Sequence, residues 1–215
     1  MKQTIYTLLI ASLFSCNNVM SQQQSMYKTT GTIERIDPAL DAIIKKEAVI
    51  EIIAEGFEWC EGPVWVEKHK MLLFSDVPRD TIFKWTEAKG KEVYLTPSGY
   101  TGTEPRGGEK GSNGLLLDKN GNLVLCQCGN RQMARMNAPL DKPKPNYIPI
   151  AGQYNGKRFS SPNDAAYNSA GELFFTDPPY GLETQSDNDP KKEIAFNGVY
   201  KVKTNGEVIL LVDSI

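Results

Sequence analysis

The sequence predicts an all-β fold of the β-propeller type, on three observations. Fourteen-residue windows starting at Pro63, Gly114 and Asp164 read PVWVEKHKMLLFSD, GLLLDKNGNLVLCQ and DAAYNSAGELFFTD. Each is an apolar strand, a polar turn and a second apolar strand at the same offset. The windows start about fifty residues apart, within the range of a four-stranded propeller blade. No long stretch beyond the first fifty residues carries a helical stripe. A β-sandwich with coincidental spacing is the alternative, and the common register of the windows favours the propeller.

Taken in order, the chain opens on a targeting segment. Lys2 supplies a positive charge, and Ile5 to Phe14 is an apolar run too short to span a bilayer. Val19-Met20-Ser21 before Gln22 suits a secretory peptidase, which makes 1–21 a signal peptide. Leu13-Phe14-Ser15-Cys16 resembles a bacterial lipobox, and Cys16 would then carry a lipid anchor. Either reading implies an exported bacterial protein: periplasmic, secreted or lipid-anchored. Residues 22–48 are polar and then weakly amphipathic (Ile36, Leu40, Ile43, Ile44), and read as a leader with a short helix or irregular arm. Residues 49–215 hold the blades.

Between the windows lie the outer strands: Thr81 to Trp85, Glu92 to Leu95, Gln132 to Met136 and Tyr147 to Ile150. After the third window come Gly198 to Val202 and Val208 to Val212, joined by the turn chemistry of Thr204-Asn205-Gly206-Glu207. The loop from Thr101 to Gly111 contains Gly107, Gly108 and Gly111 without a strand-to-helix context. It therefore reads as a mobile connection near the propeller mouth and not as a phosphate loop.

Several function classes fall away. The net charge is −2 and the basic residues are scattered, so no nucleic-acid footprint exists. No later apolar run approaches the roughly 20 residues of a transmembrane helix. The single histidine, His69, sits between lysines in a turn, which removes Ser-His-Asp chemistry. Cys126 and Cys128 lack the further ligands of a zinc site and read as buried small hydrophobes, with a disulfide to Cys60 as the alternative.

What remains is a constellation. The inner strand of each propeller blade runs along the central channel, so equivalent positions converge there. Just upstream of the windows stand Glu61-Gly62, Ser112-Asn113 and Pro162-Asn163-Asp164. A carboxylate and two amides aimed at one axis suit a hard, oxygen-seeking cation such as Ca²⁺. Taken singly, each residue is equally a turn cap.

Several ordered motifs then resemble the gluconolactonase branch of the senescence marker protein / gluconolactonase / luciferin-regenerating enzyme family. They are Glu61-Gly62-Pro63-Val64-Trp65, Leu73-Phe74-Ser75-Asp76, Asn113-Gly114-Leu115, Gly156-Lys157-Arg158, Ser161-Pro162-Asn163-Asp164, Phe175-Thr176-Asp177-Pro178-Pro179-Tyr180-Gly181 and Gly198-Val199-Tyr200. The resemblance runs from about Gly56 onward. It implies a six-bladed β-propeller with Ca²⁺ or another divalent cation in its channel, hydrolysing sugar-acid lactones. It implies metal ligation by Glu61 and Asn163, and substrate contacts from Arg158, Asn113 and Asn163. The family's candidate general base would lie beyond Ile215, so the chain is expected to be a fragment holding about the first three blades. Two other functions fit the same scaffold: a propeller that binds a ligand or partner without turnover, and a related esterase or phosphotriesterase.

Overall fold

The computed structural model describes residues 26–214. The signal-peptide and Cys16 readings lie outside the described residues. The chain divides between Ile53 and Ala54 into two units.

In the first unit, β1 (Lys28–Thr30) pairs antiparallel with β2 (Ile50–Ile52), Lys28 opposite Ile52. A 3-10 turn over Pro38–Ala42 lies between them. Asp37 caps it by accepting from the Ala39 amide at 2.8 Å, and Pro38 takes the first helical position, where no backbone donor is needed. Arg35 secures the connection by donating to Asp41 and to the Ile44 and Lys45 carbonyls. Ile36 and Ile43 stay exposed, so the weak amphipathic pattern builds no packed helix.

The second unit is all-β. Its first sheet comprises β3 (Cys60–Val66), β4 (Met71–Asp76), β5 (Thr81–Thr86) and β6 (Gly90–Leu95). The second comprises β7 (Ser112–Leu117), β8 (Leu123–Gln127), β9 (Gln132–Met136) and β10 (Tyr147–Ala151). A hairpin of β11 (Gln153–Tyr154) and β12 (Lys157–Arg158) follows, turning through Asn155 and Gly156, both at positive φ as a type I′ turn requires. The third sheet comprises β13 (Ala165–Tyr167), β14 (Leu173–Asp177), β15 (Gly198–Val202) and β16 (Val208–Val212). Within each sheet the strands follow sequence order and pair antiparallel.

Two apolar cores hold this unit, one on each face of the second sheet. On β8, Leu123 and Leu125 join Val66, Leu73 and Ile82 of the first sheet. The alternating Val124 and Cys126 join Phe159, Phe175 and Tyr200 on the other side. Strand side chains alternate between faces, so a strand covered on both sides must be apolar throughout. The run Leu-Val-Leu-Cys is that pattern, and all four residues are fully buried. In the second core the Phe159 ring lies 5.0 Å from Phe175 and 4.9 Å from Tyr200, both edge-on. Such pairs add about 0.5–1.5 kcal/mol each beyond burial. Cys60 is a free exposed thiol, whereas Cys126 and Cys128 are free and buried, as small hydrophobes are.

Candidate functional site

The first strands of the three sheets enter side by side. Gly62 lies so close to β7 that a Cβ there would strike the Asn113 carbonyl and come within 2.8 Å of the Gly114 Cα. Gly114 in turn meets the third sheet: an added Cβ would lie 2.8 Å from Asp164 Oδ1 and 2.9 Å from the Asn163 carbonyl. The Gly114 amide donates to that same carbonyl at 2.8 Å. Side chains at either glycine would push the strand entrances apart.

Pairing also breaks at the same place in two sheets. The register shifts between Glu61 and Val64 on β3, and between Ser112 and Leu115 on β7. A bulge at a strand end re-aims the side chains beside it. Here those are Glu61 and Asn113.

The structure thus brings Glu61, Asn113 and Asn163 to adjoining strand entrances, linked by Gly62 and Gly114. Glu61 is half-buried and accepts from Trp59 Nε1 at 2.8 Å. Asn113 is buried, and its carbonyl accepts from Ser75 Oγ, which also bonds Ser112 Oγ at 2.8 Å. Asn163 is half-buried, and its backbone N–H donates to the Thr176 carbonyl. Arg158 stands apart from these three: it is exposed on β12 and donates to the Asn130 carbonyl at 3.2 Å.

Glu109 is a carboxylate that the windows do not reveal. Burial pushes its carboxyl up; the neighbouring Asn113 amide and Cys128 thiol pull it back down, and the charge of Glu61 raises it. Its Oε2 is buried without a hydrogen-bond partner among the described residues. Glu109 belongs to the loop ahead of β7, which has no counterpart in the other repeats, so alignment of the windows could not flag it. Its nearness in sequence to Asn113 was the available signal.

That loop is not the free connection its glycines suggest. Arg106 donates to the Gly129 and Gly181 carbonyls and lies over the Tyr100 ring, 5.2 Å from the centroid. The Glu109 amide donates to the Tyr180 carbonyl at 3.1 Å, and the Gly111 amide to Val77 at 2.9 Å. The glycines permit backbone contact, and the contacts hold the loop.

The last position of each window latches its own sheet. Asp76 accepts from the Glu58 and Trp59 amides, Asp177 from the Ser160 and Ser161 amides at 2.9 and 2.6 Å, and Gln127 donates to the Ser98 carbonyl. All three side chains are fully buried. Each fixes the segment ahead of its sheet's first strand, and in the first and third sheets that segment leads into Glu61 and Asn163.

No group of three or more His, Cys, Asp or Glu set to hold a metal occurs among the described residues. The donors at the strand entrances are instead two carboxylates, Glu61 and Glu109, and two amides, Asn113 and Asn163. They are all oxygen donors of the type Ca²⁺ takes, and the unpartnered Glu109 oxygen is the kind of group a cation satisfies. The set fits a hard cation but falls short of the 6–8 oxygens calcium prefers.

Comparison with known proteins follows the same lines. The family model for the SMP-30/gluconolactonase/LRE-like region matches residues 59–215. A curated gluconolactonase of Zymomonas mobilis subsp. mobilis is 38% identical over 185 residues, covering 85% of this chain and 51% of that protein. A solved gluconolactonase of Xanthomonas campestris superposes with a TM-score of 0.66 at 27% identity, over 87% of this chain and 56% of its own. An X-ray structure assigned to a gluconolactonase gives 0.62 at 28% identity, over 75% and 51%. The chain therefore spans about half the length of the relatives it matches.

Proposed function

The chain belongs to the SMP-30/gluconolactonase/LRE-like family, and from that premise we propose that the whole protein hydrolyses the lactone of a sugar acid. The observation that carries this reading is the convergence of three strand entrances through Gly62 and Gly114, which places one carboxylate and two amides side by side. The three sheets would be the first blades of a six-bladed propeller, with these entrances at its central channel. The gluconolactonase relatives in sequence and structure support the activity.

Glu61 and Asn163 would hold a divalent cation, calcium by the oxygen character of the donors, with Glu109 as a further donor. When bound, the cation supplies Lewis-acid polarisation of a carbonyl. Asn113, buried and braced through Ser75, would orient the substrate, and Asn163 would contact it from the third sheet. Arg158 would meet the polar end of the ligand. Glu61 is not assigned the proton-transfer role, because a carboxylate engaged on a cation is a poor proton acceptor. The reading also includes export, with Cys16 as a site for a lipid anchor.

The test is Glu61→Gln in the whole protein. Calcium affinity should fall by at least the roughly 10-fold that losing an outer-shell partner costs, and lactone hydrolysis should fall with it. Calcium binding as tight as in the parent protein would refute the ligand assignment.

A further inference from the structure

Against the loop ahead of β7 lies a cleft of about 200 Å³ lined by Arg106, Arg131 and Arg158, with Lys191, Glu183 and Tyr100 among its other walls. It is held by the segments that fix Glu109: Arg106 bonds Gly129 and Gly181, and the Glu109 amide bonds Tyr180. Its volume is below the 300–1,000 Å³ of sites for drug-sized ligands, so it suits a small molecule.

The arginines of this cleft are poorly partnered. Each guanidinium is bonded mainly to neutral backbone carbonyls: Arg131 Nε to Phe159 at 2.6 Å, Arg158 Nη2 to Asn130, and Arg106 to Gly107, Gly129 and Gly181. Lys191 is matched by Glu183 at 2.6 Å. Glu193 lies 3.6 Å from Arg131 Nη1 and accepts from the Arg158 backbone amide at 2.7 Å. With Glu104, three carboxylates face four cationic side chains, and the charge of the buried Asp177 also acts on Arg131, so neither sign is in clear excess. Arg131 is only 7% exposed, and its Nη2 has no partner among the described residues. Burial first, and then repulsion from Arg158, push the Arg131 guanidinium below its usual range. Holding a buried guanidinium this way is costly unless an anion completes it.

We infer that this three-arginine cleft binds the carboxylate of a small hydroxy acid, the ring-opened product of the reaction. The inference deepens the lactonase reading and rests on it for the identity of the acid. A guanidinium offers two parallel N–H donors that match a carboxylate, and Arg158 is the exposed arginine able to meet one. Glu183 and the Tyr100 hydroxyl supply polar groups for the acid's own hydroxyls.

The test is calorimetric titration of the whole protein in EGTA with gluconate, with sorbitol as the neutral polyol, and with inorganic phosphate. Gluconate should bind, sorbitol about tenfold or more weakly, and Arg158→Gln should weaken gluconate about tenfold while melting at the parent temperature. Sorbitol binding as tightly as gluconate, an unaffected Arg158→Gln variant, or phosphate binding at least as tightly as gluconate would each overturn the assignment. The readout involves no turnover and no cation. Loss of lactone hydrolysis with a retained carboxylate preference would therefore sink the lactonase reading and leave the cleft standing.

Discussion

Asp177 shows how a buried carboxylate serves the scaffold here. It accepts from the Ser160 and Ser161 amides and so fixes the approach to Asn163. Burial pushes its carboxyl up to about 6, against the pull of those amides and of Lys192 and Arg131. The native chain therefore holds this proton more tightly than the unfolded one. The penalty for the charged form is absent below about pH 4 and grows as pH rises through about 6, to a size on the order of 3 kcal/mol. Melting the parent protein and Asp177→Asn between pH 7 and 4.5 should show the parent gaining on the variant as pH falls. A pH-independent gap would refute the shift. Glu61, Asn113 and Asn163 were legible as residues because each stands one or two positions ahead of a repeat. Glu109 and the latching roles of Asp76, Gln127 and Asp177 were not, because sequence distance hides what a side chain meets across a fold.

At the level of elements, two features position the site: matched bulges on β3 and β7, and glycines where strand entrances touch. Gly114 has an ordinary φ, so replacing it tests space alone. Gly114→Ala would set a methyl against Asp164 and the Asn163 carbonyl. The expected cost is about 1–3 kcal/mol, as for overpacking of a filled core. Denaturant unfolding should register it, and a variant as stable as the parent would show that the entrances can part freely. The strands themselves were legible from apolar runs and turn chemistry. β8 is the clearest, since a continuous apolar run is what a strand buried on both faces requires. The pinning of the loop ahead of β7 was not, because glycine allows both looseness and close approach and only the partners distinguish them.

At the scale of the whole molecule, two cores bind three sheets, and the donors gather where the strands enter. A cation that binds this arrangement and not the unfolded chain must stabilise it. At calcium a hundredfold above its Kd the whole protein should gain about 2.7 kcal/mol, visible as a rise in Tm that EGTA reverses. A Tm indifferent to calcium would remove the cation from the mechanism. The sequence by itself determined the all-β class, the fifty-residue repeat and the family, because alternation, turn residues and ordered motifs are local properties of the chain. Only the tertiary structure decided that Glu109 stands beside Asn113, and that three arginines from separate segments share one cleft. Those juxtapositions depend on how sheets pack and loops fold back, and neither is written in the spacing of residues along a strand.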